Sequence, residues 1–317
     1  MIPGTLVLVA LLAQATPCAK CHASTHREWA TSRHASAYTN PSFQVAFAWA
    51  QKDPWCLDCH GPVPSAVEQG VTCSVCHVRD GVVLSARAPS ALSEKAHRMR
   101  HEPLLSSSSF CARCHEFTFP KEGVRPVEYT TAPLQQTFSE WDTSAAKAKG
   151  LSCQACHMEE GSHRFPGARD APLLKRAIHV DVAPSPDGAR IVATATGVGH
   201  RFPTGDPFRA LVVEVCADAA CDAVLATRRF ARVFVNGADG PRTRSDTRLP
   251  APVGDDLVAR VEVEVPLRSE ERGRWFWRAQ YQLTDPLLDR WLPEEEKRVF
   301  VGSGEVGAER AVEKRSR

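Results

Sequence analysis

The chain has 317 residues, 39 Lys and Arg against 37 Asp and Glu for a formal charge of +2, and hydrophobic and charged fractions of 43 % and 24 %. That balance excludes a disordered chain, and with no basic run or aromatic platform a nucleic-acid partner is not expected. Twelve cysteines in a chain of this length do not fit a disulfide framework, which belongs to much shorter secreted domains.

The chain opens on a secretory pattern. Leu6 to Leu12 form a short apolar run, and Ala13-Gln14-Ala15 supplies a small-x-small cleavage site. No Lys or Arg precedes the run, so a buried N-terminal strand is the competing reading. The run is too short to cross a bilayer as a helix, and no other segment approaches that length. Residues 1–15 are read as a signal peptide, and a lipid anchor on Cys18 fits poorly after Pro17.

From residue 16 the pattern Cys-x-x-Cys-His occurs five times: Cys18, Cys21 and His22; Cys56, Cys59 and His60; Cys73, Cys76 and His77; Cys111, Cys114 and His115; Cys153, Cys156 and His157. Cys-x-x-Cys alone reads as zinc or a redox dithiol. With 12 His in the chain, a His after all five pairs has chance odds of about one in ten million. A zinc array needs ligand sets of four and gives no reason for that His. Covalent haem does. Two thiols about one helical turn apart add to the vinyl groups on one porphyrin edge, and the next residue brings its imidazole to the iron. Five haem c groups are expected, on these ten cysteines, with the five motif histidines as proximal ligands. The motifs occupy 140 residues, about 28 each, too few to wrap each haem in a private core. The porphyrins must serve as one another's interior, packed closely enough for electron hopping. Their propionates would add about −10 if ionised, making the assembled protein acidic.

Seven histidines lie outside the motifs: His26, His34, His97, His101, His163, His179 and His200. Met1 is lost with the signal, Met158 adjoins a proximal ligand and Met99 reads as packing, so bis-His coordination should dominate. Thr25-x-x-Glu28 reads as a capping box that opens a helix to about Tyr38, with His26 and His34 roughly on one face. His34 is the stronger candidate of the two. A second helix, ending before Pro103, carries His97 and His101. Their i, i+4 spacing lacks the further ligand of a zinc site, and His97 is the better haem candidate. His163-Arg164-Phe165-Pro166-Gly167 and His200-Arg201-Phe202-Pro203-Thr204-Gly205 are matching phrases, rigid loops suited to presenting an imidazole.

From about residue 178 the pattern changes to period two. Ala259, Val261, Val263 and Val265 face one way, and Arg260, Glu262 and Glu264 the other. Trp275, Trp277, Ala279, Tyr281 and Leu283 alternate in the same manner with Arg278, Gln280 and Gln282. Further strands are expected around residues 191–196, 211–216 and 232–235, with Asn236-Gly237 and Asp239-Gly240 as turn signals. Cys216 and Cys221 lack a following His and are expected to close a small disulfide. The expected fold class is α+β multidomain. Residues 16–177 form a mostly helical, haem-packed domain, 178–305 an antiparallel β-sandwich of immunoglobulin-like style, and 306–317 a charged tail.

The surroundings of the motifs resemble the cytochrome c-554 group and related multihaem cytochromes, the relatives of octahaem tetrathionate reductase and hydroxylamine oxidoreductase. The matching stretches are Cys18-Ala19-Lys20-Cys21-His22 followed by Trp29 and Ser32-Arg33-His34-Ala35, and Phe110-Cys111 to His115-Glu116-Phe117. Glu140-Trp141 leading into Cys153 to Met158, then His163-Arg164-Phe165-Pro166-Gly167 and Gly199 to Gly205, complete the set, which covers roughly residues 16–205. The resemblance implies that His34, His163 and His200 are distal ligands, with His97 placed similarly before the fourth motif. Tetrahaem members have one motif fewer and the octahaem enzymes three more. The partner of the remaining iron is therefore open between His26, His101, His179 and none.

Two functions follow as expectations. The first is an electron carrier in the periplasm or on the extracellular face, exchanging electrons with other cytochromes or a membrane quinol or cytochrome complex. The second is an oxidoreductase acting on a small nitrogen or sulfur compound (nitrite, hydroxylamine or tetrathionate) at one five-coordinate haem. An adhesion or assembly module with haems as passengers ranks below both.

Overall fold

The computed structural model describes residues 17–121, 123–124, 126–237, 240–268 and 274–306. The signal-like segment, Asp239 of the second turn signal and residues 307–317 of the charged tail lie outside them.

Residues 17–177 are cut into short pieces. The helices are α1 (Ala23–Ala30), α2 (Pro41–Trp49), α3 (Leu57–His60), α4 (Cys73–His77), α5 (Ala91–Ala96), α6 (Ser108–His115), α7 (Thr137–Asp142), α8 (Ala145–Ala148), α9 (Cys153–His157) and α10 (Ala171–Ala177). Between them run β1 (Val78–Arg79), β2 (Val82–Ser85), β3 (Met99–His101), β4 (Glu116–Pro120) and β5 (Tyr129–Gln136). β2 pairs antiparallel with β1 and parallel with β3, and β4 with β5 makes a separate antiparallel ladder. The chain is 32 % helical and 34 % strand with several antiparallel sheets, which overturns the expectation of a mostly helical haem domain.

The reasons are local. Helix α1 stops at Ala30 because the Thr31 hydroxyl donates to the Glu28 carbonyl and the Ser32 hydroxyl accepts from Ala35, so side chains compete with the helix ladder. Thr25 forms no cap, Glu28 accepts the His163 backbone N–H instead, and His34 sits in the turns that follow. The second expected helix ends earlier as well. α5 gives way at His97, which is extended, and His101 lies in β3. Two motif helices end on their histidine and turn at once into extended backbone, at Val78 after His77 and at Glu116 after His115.

The second half is built on β6 (Ile178–Ser185), β7 (Gly188–Thr196), β8 (Ala210–Cys216), β9 (Val224–Gly237), β10 (Gly240–Asp246), β11 (Val258–Pro266), β12 (Trp275–Gln282) and β13 (Arg298–Val306), with α11 (Glu294–Lys297) before the last strand. One sheet has the order β10-β9-β8-β12-β13 and the other β11-β7-β6, with antiparallel pairing throughout. A disulfide joins Cys216 and Cys221 between β8 and β9.

Period-two alternation sends Ile191, Ala193 and Ala195 of one sheet and Leu211, Val213 and Val215 of the other into a shared core with Phe230, Ala279 and Tyr281. Burying one such Val, Leu or Ile contributes about 1.5–3 kcal/mol. Among the described residues 17–173, by contrast, only Phe47, Leu84, Ala132, Ala145 and Ala146 are buried hydrophobics. The halves meet through polar seams. Arg248 bonds Glu140, Arg232 reaches the carbonyls of Pro133 and Leu134, and Glu296 accepts from Arg33, Asn40 and Ser42.

Candidate functional site

Each Cys-x-x-Cys-His stretch is a helical turn, so the two sulfurs of a motif lie on one side. In the first, His22 N–H bonds the Cys18 carbonyl at 2.9 Å; α3, α4, α6 and α9 hold the others. Caps start three of them, the Asp53 carboxylate accepting from Trp55, the Ser107 hydroxyl from Ser109, and the Ser152 hydroxyl from Ala155.

Motifs distant in sequence adjoin through their sulfurs. Cys18 of the first hydrogen-bonds Cys73 of the third. Cys59 of the second donates to Cys114 of the fourth, which raises the one and lowers the other to about 7. Cys111 of the fourth donates likewise to Cys153 of the fifth, lowered to about 6. Cys76 of the third lies within electrostatic reach of Cys111 and Cys114. The order of proximity is first to third to fourth, with the second and fifth beside the fourth.

Across from four motif histidines stands a second imidazole. Ring centroids are 6.2 Å apart for His22 and His97, 6.1 Å for His77 and His163, 6.3 Å for His115 and His34, and 6.4 Å for His157 and His200. Interplanar angles run from 8° at His157 and His200 to 58° at His115 and His34. A metal–imidazole distance of about 2 Å on each side, plus about 1.1 Å from nitrogen to ring centre, places two centroids about 6 Å apart with one ion between them.

The rings are also oriented. Nδ1–H donates to a backbone carbonyl in His60 (Ala37, 3.0 Å), His77 (Leu84, 3.1 Å), His157 (Pro166, 2.7 Å), His163 (Gly161, 2.9 Å) and His200 (Arg201, 2.8 Å). That tautomer leaves the Nε2 lone pair free to bind a metal. Burial lowers the pKa of His60, His115, His163 and His200, and burial with the neighbouring His115 takes His34 down to about 4. These imidazoles are neutral at pH 7, the form that coordinates.

The partner histidines come from four settings. His97 ends α5, and His34 is held where its carbonyl accepts the Val71 N–H at 2.8 Å. His163 is tied by its backbone N–H to Glu28. His200 lies on the loop between β7 and β8 of the β half, which is anchored by reciprocal backbone bonds between Phe202 and Leu249 and by Thr204 donating to Glu140.

His60 differs. The ring against it is Phe43, stacked at 3.9 Å and 11°, and Asp206 is the charge it feels. None of the three histidines left open by the sequence pairs with it. His26 lies against Trp29 at 5.3 Å, His101 spends Nε2 on the Ala86 carbonyl, and His179 pairs with Asp181 on the exposed face of β6.

Sequence reasoning missed the carbonyls that orient the rings, which no side-chain pattern announces, and Phe43, which reads as ordinary core in an apolar helix. It also missed the buried pair of Glu140 and Arg248 beside the His200 loop, formed across 108 residues.

The donor set tests what these pairs fit. Each offers two imidazole rings about 6 Å apart and no further ligand. Among the described residues no group of three or more His, Cys, Asp or Glu is placed to hold a bare ion. Two axial nitrogens with two sulfurs beside one of them are the requirement of an iron already seated in a covalently attached porphyrin.

No family model matches the chain, and no curated protein matches it by sequence. Among solved structures it is similar to the crystal structure of a penta-heme cytochrome c552 from Thermochromatium tepidum, with a TM-score of 0.67 and 21 % identity over 92 % of this chain and 97 % of that one. At that identity the likeness is one of fold, and it spans both halves.

Proposed function

We propose that this chain is a pentahaem c-type cytochrome whose task is electron transfer. The ten motif cysteines carry the thioether links, and His22, His60, His77, His115 and His157 are the proximal ligands. His97, His163, His34 and His200 are the distal ligands of the first, third, fourth and fifth motifs. Haem held in this way supplies reversible one-electron exchange at its iron. The observation that carries the reading is the set of four facing imidazole pairs, all between 6.1 and 6.4 Å. With a histidine on either side of a bound haem, those four sites would be left with electron exchange as their chemistry. The closeness of motif sulfurs from motifs distant in sequence supports transfer over the whole set.

A second reading is favoured by one observation, the lack of a histidine opposite His60. An open axial position there suits oxidation or reduction of a small nitrogen or sulfur compound, with the other four haems as supply. This agrees with the resemblance to the c-554, tetrathionate reductase and hydroxylamine oxidoreductase group. Covalent attachment outside the cytoplasm and the disulfide of Cys216 and Cys221 support an exported, periplasmic chain exchanging electrons with protein partners. No helix among the described residues is long and apolar enough to cross a membrane.

Mass spectrometry of protein made in a host with haem-attachment machinery should give five haem increments. A bare polypeptide mass would end the proposal. Electron paramagnetic resonance of the oxidised protein should resolve four low-spin haems and one high-spin haem. An all-low-spin spectrum would remove the second reading, and a high-spin signal that moves with nitrite or hydroxylamine would support it.

A further inference from the structure

The loop that delivers His200 continues to a second site. Past Pro203 and Gly205 it reaches Asp206, which lies within electrostatic reach of His60, and Arg209, whose backbone N–H bonds the Asp206 carbonyl at 3.1 Å. Nη1 of Arg209 is buried and has no hydrogen-bond partner. Close by are the guanidinium groups of Arg169, whose side chain is 16 % exposed, and Arg33. Arg169 also bonds the hydroxyl of Ser42, the residue before the Phe43 that stacks on His60. A positive cluster thus borders the second motif.

Its own carboxylates do not complete it. Glu296 is already engaged by Arg33, Arg169, Asn40 and Ser42. Asp206 turns one oxygen to the backbone of Phe208. A buried guanidinium nitrogen left unpaired is costly, and native folds rarely keep such a group without a partner for it. The missing chemistry is an anionic oxygen acceptor of the kind a guanidinium fork grips.

We infer that Arg209, with Arg169 beside it, binds a propionate carboxylate of the haem attached at Cys56 and Cys59. This rests on the proposed function and goes beyond it, because it gives the β half a second grip on the haem array, at the one motif histidine that no other histidine faces. The competing source of the same chemistry is a free oxyanion such as nitrite or phosphate.

The test uses the full, haem-loaded chain as wild type, Arg209→Gln and Arg209→Lys, in spectroscopically monitored potentiometric titrations. The second-motif haem is identified as the component missing from a Cys56→Ala/Cys59→Ala variant. In Arg209→Gln that component should titrate at a lower potential. Its potential should also become pH dependent in the neutral range, because a carboxylate released from Arg takes up a proton on reduction; Asp206, Glu296, Arg33, Arg169 and Tyr281 are the other ionisable neighbours. Arg209→Lys should keep most of the wild-type behaviour, and the other four components should not move.

An unchanged potential and pH profile in Arg209→Gln would overturn the inference. So would a wild-type potential that shifts on adding phosphate with no such shift in Arg209→Gln, since a free anion would then hold the place. Loss of all haem increments would overturn the proposed function itself and is read separately, by mass.

Discussion

Changing Arg248 to Met should unfold the seam between the halves at a markedly lower temperature. The Arg248 side chain is 3 % exposed and that of Glu140 5 %. Arg248 donates to Glu140 at 2.6 Å, to both oxygens of Asp246 at 2.7 and 2.9 Å, and to the Pro203 carbonyl at 3.2 Å. Met fills much of the same volume but leaves Glu140 buried with Thr204 as its only close donor. Stranding one member of a buried ion pair costs about 3–5 kcal/mol. For a chain of this size, at about 2 °C per kcal/mol, that is a fall in Tm of roughly 6–10 °C. Thermal unfolding followed by circular dichroism reads it directly. Arg248→Met/Glu140→Gln should recover more than half of the loss, because the uncompensated charge is gone. The pH dependence has a definite sign. Burial alone would push the Asp246 carboxyl up, but the Arg248 hydrogen bonds and charge hold it below the usual value. Its contribution is therefore present above about pH 4 and lost as pH falls through the lower folded value. Arg248→Met should weaken that acid dependence. A variant within 1 kcal/mol of wild type, or a double variant no more stable than the single, would refute the reasoning.

His97→Ala should convert one low-spin haem to high-spin in electron paramagnetic resonance, while His101→Ala and His179→Ala leave the spectrum unchanged. Gly70→Ala should destabilise by about 1–3 kcal/mol in denaturant titrations and broaden the signal of the haem between His34 and His115. At φ +63° an added Cβ there collides with the His34 carbonyl. Replacing Cys216 and Cys221 with Ser should cost about 2 kcal/mol, the loop-closure value for so short a ring, read as a lower denaturant midpoint with five haems retained. In a chain whose ten motif cysteines are all alanine, hydrogen exchange should protect the β half and leave residues 17–173 fast.

What the sequence made legible is what depends on spacing. The five motifs, the alternation of Val261 and Val263 against Glu262 and Glu264, and the disulfide between Cys216 and Cys221, the two cysteines outside the motifs, could be read because the residue type and its interval carry the chemistry. The helical character of the first half could not. Its segments are ruled by side-chain bonds such as Thr31 to Glu28 and by contacts such as His163 to Glu28, 135 residues apart, which no window of sequence contains. The phrases around His34, His163 and His200 pointed to those residues. That Phe43, and no histidine, lies against His60 required three dimensions.

The exchange prediction follows from where apolar surface is buried. Among the described residues 17–173 the buried hydrophobics are five, three of them alanine, whereas the β half has a shared core from Leu174 to Val306 to offset the entropy of ordering its chain. On the proposed function, the first half is therefore expected to take its stability from the attached haems, with attachment and folding of the segment coupled. Equal protection in both halves of the alanine chain would show that the segment carries its own stability, and would break the link drawn between its missing core and its five motifs.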